Sequence, residues 1–459
     1  MTVKQQKKQM SLAFPAECRG EAPSAAGQGT EAVRAGYGTK SQASPENLME
    51  EVCQRDNLVK ALKRVKANQG SPGIDGMKVE ELSAYLKDNW IKIREQLLRG
   101  AYQPQPVKRV KIPKPGGGER PLGIPTVLDR FIQQAVLQVL QRSWDQTFSE
   151  QSYGFRPGRS AQQAVSQAQA YIGQGYVYVV DIDLEKFFDR VNHDILMGLV
   201  AKRVQDKYVL KLLRAYLNAG VLENGLVSPA TEGTPQGGPL SPLLSNLMLD
   251  VLDKELERRG HRFVRYADDC NIYVRSLRAG ERVMASVNQF LEKKLKLKVN
   301  QGKSAVARPG ERKFLGFSFT NSEAPRRRIA PQSLKRFKLK IRELTRIGRS
   351  LNLSALVERL RFYLTGWRSY FGFCETPSVL TKLDKWIRRR LRMVQWRQWK
   401  RGRTRFAALR QRGVNHDLSA KTAGSAHGPW RLSRSLSLNI SLPTAYFISL
   451  GLPTLAPGR

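Results

Sequence analysis

The sequence predicts an α+β fold, with short antiparallel strands and helices alternating up to about residue 325 and helices alone beyond it. Three observations predict it. RFVRYADDCNIYV (262–274) sets two β-type runs around a tight turn. YVYVVDIDL (176–184) is a strand that runs into a helical stretch. From Pro331 onward the apolar residues recur at helical spacing on a strongly basic chain.

Residues 1–45 are rich in Gly, Ala, Ser, Gln and Lys without periodicity and are expected to form a disordered tail. Order is expected from about residue 46. Leu48, Val52, Leu58, Leu62 and Val65 make one helical face, and SPGIDG (71–76) is a turn cluster. Leu82, Leu86, Trp90, Ile93 and Leu97 make a second helix. VKRVKIPKPGGGERPLGIP (107–125) predicts a hairpin turning at Pro-Gly-Gly-Gly. Thr126 is placed to cap the next helix, with Asp129 three residues on. In TPQGGPLSPLLSNLMLDVLDKEL (234–256) a Gly/Pro loop feeds a helix, with Ser241 as cap and Pro242 at its first position. A helix near 281–295 follows the acidic hairpin. KLKVNQGKS and KFLGFSF are strand-like, and three helical stripes begin at Leu334, Leu356 and Val379. No repeat of fixed period interrupts this order.

Composition narrows the function. Lys and Arg number 78 against 39 Asp and Glu, a formal charge of +39. Such self-repulsion calls for a polyanion, with nucleic acid ahead of an anionic membrane. No apolar run approaches the roughly 18 residues a bilayer span requires. The apolar stretch near the start is too short for a signal peptide, so the cytoplasm is the expected compartment. Cys18, Cys53, Cys270 and Cys374 are scattered without zinc or disulfide spacing, which favours reduced thiols. Cys270 is expected to be a small strand residue.

The chemistry concentrates at Asp268 and Asp269. Two adjacent carboxylates on a turn repel unless a cation or water intervenes. An ordinary turn would account for one such pair. A second strand, VYVVDIDL, offers Asp181 and Asp183 on one face, and the spacing alone does not choose between them. Three carboxylates on neighbouring strands suit two Mg²⁺ ions about 3.5–4 Å apart, with Mn²⁺ able to stand in. One ion lowers the pKa of an attacking 3′-hydroxyl and the other stabilises the leaving pyrophosphate.

The blocks RPLGIPTVLDRFIQQAV, SYGFRPGRSAQQAV, VVDIDLEKFFDRVNH, TPQGGPLSPLLSNLMLD, YADD, NQGKS and KFLGF occur in an order that resembles group II intron-encoded reverse transcriptases, or maturases. The resemblance covers nearly everything after residue 45. It implies a right-hand polymerase: an N-terminal extension and fingers over 46–175, a palm with part of the fingers over 176–325, a helical thumb (maturase domain X) over 326–376, and a small basic DNA- and RNA-binding domain over 377–459. It implies RNA-directed DNA synthesis, tight binding of the host intron RNA, assistance to splicing, and retrohoming. The implied partners are intron RNA, an RNA template with a DNA primer, target DNA and dNTPs, without a membrane. A dimer is compatible with the resemblance, as is nucleoid association when the protein is on DNA. Two rival readings are a retron- or defence-type reverse transcriptase and a splicing-only maturase with an idle polymerase site.

Carried over residue by residue, the resemblance makes Asp183, Asp268 and Asp269 the catalytic metal ligands and selects Asp183 over Asp181. Phe188 falls where the family excludes a 2′-hydroxyl, although a plain core Phe is the bland alternative. Lys114 and Arg120 match the fingertip pair that grips the triphosphate, a task suited to a point charge and a planar fork. Gln236, followed by Gly237, matches the loop that approaches the nucleotide. Lys303 is a candidate acid for pyrophosphate, and KFLGF matches the primer grip. Arg156 and Arg159 fit the template backbone. Lys335, Lys338 and Arg342 fit RNA on the face of a thumb helix. Arg388, Arg389 and Arg390 with Trp396 and Trp399 suit phosphate contact and base stacking. Longer family members carry a His-Asn-His endonuclease. Here His416 and His427 are isolated and no cysteine follows residue 374, so second-strand cleavage by this chain is not expected.

Overall fold

The computed structural model describes residues 47–113, 118–223, 226–228, 232–234, 237–347 and 351–457. The expected tail, Lys114 and Gln236 lie outside the described residues. The described chain forms two compact units, one running to Arg312 and the other starting at Lys313.

The first unit opens with two helices where the sequence suggested one, α1 (Leu48–Val52) and α2 (Arg55–Asn68). Between them Gln54 is extended. The Asn57 side chain ends α1 by donating to the Val52 carbonyl at 2.9 Å. After α3 (Leu82–Leu98), β1 (Val107–Pro113) and β2 (Glu119–Ile124) form the expected antiparallel hairpin. Thr126 caps α4 (Val127–Trp144) by accepting the Asp129 N–H at 3.0 Å. The Asp129 carboxylate in turn accepts the Tyr102 hydroxyl at 2.8 Å and the Thr126 hydroxyl at 2.7 Å. The turn between hairpin and helix is thereby locked from both sides.

A capping box of Ser160 and Gln163 starts α5 (Ala161–Gly173), and β3 (Tyr178–Ile182) follows. Next come α6 (His193–Ala201), α7 (Lys207–Asn218) and the short strands β4 (Val221–Glu223) and β5 (Leu226–Ser228). The long, largely buried α8 (Ser241–Arg258) leads into β6 (Arg262–Tyr266) and β7 (Asp269–Val274). Pro242 sits in the first turn of α8 as expected, but Leu240, already in αR conformation, is the cap and Ser241 is helical. The last elements of the unit are α9 (Leu277–Phe290) and β8 (Ala305–Ala307). α9 starts earlier than the sequence suggested because Ser276 caps it through the Ala279 N–H. NQGKS is a turn, not a strand: the Asn300 carbonyl accepts the N–H groups of both Lys303 and Ser304.

Two four-stranded sheets result, ordered β2-β1-β4-β5 and β6-β7-β3-β8. The second is antiparallel throughout. One continuous apolar core, with α4 and α8 among its main contributors, underlies this unit. Cys270 is buried on β7, and burial pushes its thiol pKa well up, as a small strand residue should show.

In the second unit β9 (Phe317–Phe319) and β10 (Arg327–Ile329) pair ahead of α10 (Pro331–Ile347), α11 (Leu353–Phe371) and α12 (Ser378–Gln398). α13 (Gly402–Gln411), α14 (His416–Ala423) and short helices as far as Ser449 complete it. An aromatic stack makes its core: the Phe337 and Trp367 rings are 4.4 Å apart and Trp367 lies 4.7 Å from Phe371. Among the described residues no helix is long and apolar enough to cross a membrane.

Candidate active site

The acidic hairpin has the geometry its sequence suggested. Tyr266 pairs with Asp269, leaving Ala267 and Asp268 as a two-residue turn between β6 and β7. Ala267 adopts φ +56°, a left-handed conformation uncommon for a residue with a Cβ. β3 lies beside β7, with Asp181 opposite Asn271 and Ile182 opposite Cys270. Asp183 follows directly, so it and Asp269 leave neighbouring strands at the same end of the sheet.

The structure separates the two β3 acids. Asp181 is committed to Arg312, whose Nε and Nη2 lie 2.9 and 2.6 Å from one carboxylate oxygen. The same Nη2 reaches the Lys303 carbonyl at 2.5 Å. Asp183 instead has its backbone pinned: its N–H donates to Ser304 Oγ at 2.9 Å, and its carbonyl accepts the Asn300 N–H at 2.8 Å. The Lys303 ammonium stands 3.8 Å from Asp183 Oδ1.

Among the described residues no three His, Cys, Asp or Glu side chains are gathered closely enough to hold a metal ion. Asp183, Asp268 and Asp269 are carried to one end of the sheet by β3 and by the β6–β7 turn. Carboxylates brought to one site repel, and a facing ammonium such as that of Lys303 relieves the charge. The donor set fits a hard divalent cation in kind: carboxylate oxygens on adjoining strand ends.

Around this end, Phe188 is half-buried against the core, its ring 5.2 Å from that of Phe187. The Thr234 N–H donates to the Phe188 carbonyl at 2.6 Å, which ties the Gly-rich loop to the Phe188 segment. A cavity of about 90 Å³ beside them is lined by Arg109, Leu122, Gly123, Phe188, Asp189 and Gly233, among others. Gly237, at φ +137°, lies so close to β2 that a Cβ would meet the Gly123 carbonyl oxygen at 2.5 Å. Arg120 sits on β2 opposite Ile112.

Several expected nucleic-acid contacts turn inward. Arg156, with a side chain 4% exposed, ion-pairs with Asp145 at 2.9 Å and donates to the carbonyls of Ser149 and Ser152. It builds the loop and does not present a cation to a template strand. Arg159 remains partly exposed, paired with Glu150 and 5.6 Å from the Tyr153 ring. Trp396 and Trp399 are buried core residues, which removes them as stacking platforms. Arg389 lies 3.7 Å over the Trp430 ring and donates to the Trp430 carbonyl, and Arg390 donates to Thr345. Lys335 and Arg342 are exposed on α10, with Lys338 and Arg388 half-buried.

Sequence reasoning missed Arg312, Arg265, Asp253 and Gly154, each of which touches the acidic hairpin or the end of β3. Arg265 carried a signal, since a charged residue at an inward strand position needs a partner.

Carboxylates carried to one sheet end suit the two-metal chemistry of a nucleotidyl-transferring polymerase. Residues 112–319 match the family "Reverse transcriptase (RNA-dependent DNA polymerase)" and residues 334–413 match "Group II intron, maturase-specific domain". Protein YkfC of Escherichia coli (strain K12) is 32% identical over 323 residues, covering 62% of this chain and 84% of that one. The group II intron-encoded protein LtrA of Lactococcus lactis subsp. cremoris is 37% identical over 195 residues, 42% of this chain and 32% of LtrA. A putative COX1/OXI3 intron 2 protein of Saccharomyces cerevisiae is 32% identical over 206 residues, 44% of this chain and 24% of that protein. The chain thus spans most of YkfC but a third or less of the two intron proteins. It belongs to the group II intron reverse transcriptase/maturase family, whose enzymes are RNA-directed DNA polymerases dependent on a divalent metal.

Proposed function

We propose that the chain copies RNA into DNA with Asp183, Asp268 and Asp269 as the acids of its active site, and that it binds its own intron RNA to assist splicing and retrohoming. The observation that supports this reading is the shared sheet end: Asp268 in the β6–β7 turn and Asp269 at the start of β7 stand beside the end of β3 and Asp183. Two Mg²⁺ held by these acids would supply the charge that activates the primer 3′-hydroxyl and steadies the departing pyrophosphate. The remaining work falls to the chain's own groups. Lys114 and Arg120 grip the triphosphate, and the Gln236–Gly237 loop approaches the nucleotide through its backbone. Lys303, next to Asp183, is suited to hand a proton to pyrophosphate, and the Asp181–Arg312 pair fixes the turn from which it projects. Arg159, Lys335, Lys338, Arg342 and Arg388 meet RNA or target DNA. The match to a maturase-specific domain favours the intron enzyme over a retron- or defence-type polymerase.

The test is primer extension on an RNA template together with splicing of the flanking RNA at low Mg²⁺, with and without protein. Extension without any gain in splicing would leave only the polymerase. Two variants probe the assignments. Phe188→Ala is expected to weaken rejection of ribonucleotides by up to about 10²-fold, the scale at which an apolar pocket discriminates an added hydroxyl. Competition between dNTP and rNTP measures it, and unchanged discrimination would return Phe188 to the core. Lys303→Ala is expected to lower kcat by about 10², the lower end of general acid catalysis, with template binding little changed. Single-turnover kinetics would show whether the chemical step slows.

A further inference from the structure

We propose that Arg265 is the positioning residue of the acidic turn, an inference that rests on the proposed role of Asp268 and Asp269. Arg265 and Asp253 are both fully buried, with side chains 0% exposed. Every N–H of the guanidinium has an acceptor. Nε and Nη2 donate to the two Asp253 oxygens at 2.7 and 2.6 Å. Nη1 donates to Asn246 Oδ1 at 3.0 Å and to the Ala267 carbonyl at 2.9 Å, and Nη2 also reaches Ser152 Oγ at 2.8 Å. The Asn246 amide completes the frame by donating to the Gly154 carbonyl at 2.9 Å. One side chain therefore joins α8, the 149–154 loop and the acidic turn.

The energetics point the same way. A fully buried ion pair contributes little net stability over an apolar replacement, because desolvation consumes most of the attraction. Its use here lies in direction. Ala267 holds an unfavourable left-handed φ, and its carbonyl is the group Arg265 grips. That peptide carbonyl immediately precedes Asp268, so the grip fixes the orientation from which Asp268 and Asp269 emerge. A point-charge lysine could answer Asp253 but could not fork to Ala267, Asn246 and Ser152 at once.

The experiment uses the full chain with a DNA primer on an RNA template. Arg265→Lys and the charge-free double variant Arg265→Met/Asp253→Leu are compared with wild type. For each we would measure kcat, KM for dNTP, template–primer affinity and melting temperature. A positioning role requires kcat to fall 30-fold or more in both, with template–primer affinity within about twofold. In the double variant, which leaves no unpaired charge, the melting temperature should stay close to wild type. A merely structural residue would let kcat recover as the melting temperature does. Either variant folded and at the wild-type kcat would overturn the proposal. Asp268→Ala measured alongside keeps the two claims apart. If it polymerises at the wild-type rate, the acid assignment falls and takes the positioning role with it. If it is inactive while Arg265→Lys is fully active, only the positioning role falls.

Discussion

Asp268→Ala is expected to reduce primer extension by at least about 10³-fold, roughly 4 kcal/mol of transition-state stabilisation, while intron RNA binding stays within about twofold. The asymmetry has a physical basis. The acid acts on charge that develops only at the reacting phosphate, so its loss is felt in the transition state. Intron binding draws on a basic surface that one turn residue hardly alters, in a chain of net charge +39. Asp183→Asn should behave likewise. Asp181→Asn should do less, since Asp181 answers Arg312, which in turn holds the Lys303 turn. The ranking Asp268 and Asp183 far above Asp181 is read by steady-state extension with matched filter-binding of the intron RNA. Equal losses at all three positions would mean that β3 presents its acids differently.

The legible parts of the chain were those governed by local rules. The turn between β6 and β7, the Thr126 cap and the hairpin of β1 and β2 each follow from a few neighbouring residues. The acid-bearing sheet end also followed, because alternation along β3 and a two-residue turn leave few alternatives. What stayed hidden depends on distant partners. Alternation along β3 does not tell Asp181 from Asp183, only the resemblance chose between them, and Arg312, which engages Asp181, lies 131 residues from it. Arg156 sits in a block that resembles a template contact, yet only the fold shows it turned inward to Asp145. Trp396 and Trp399 fail as stacking platforms for a related reason. On a basic helix an aromatic serves core and surface equally well by spacing, and here both are packed inside.

Gly154→Ala should match the most damaging changes outside the acids, by steric force alone. A Cβ there would lie 2.2 Å from the Ala267 nitrogen and 2.9 Å from the Tyr266 carbonyl carbon. Both are backbone atoms of the acidic turn, so no rotamer can yield, and the turn or the 149–154 loop must move. Overpacking of this kind costs typically about 1–3 kcal/mol of stability. Its larger consequence is displacement: a shift near 1 Å at reacting groups costs about 10²-fold in rate. Gly154→Ala is therefore expected to retain a folded protein and intron binding while losing about two decades of kcat. Gly158, between that loop and α5, is the control. It has a left-handed φ of +71° but no atom within 4 Å of a built Cβ, so Gly158→Ala carries about 1 kcal/mol of backbone strain and no collision with the turn. Near-wild-type polymerisation by Gly158→Ala beside a crippled Gly154→Ala would assign the loss to the acidic turn. Equal rates in the two variants would mean that the loop absorbs the methyl without disturbing it.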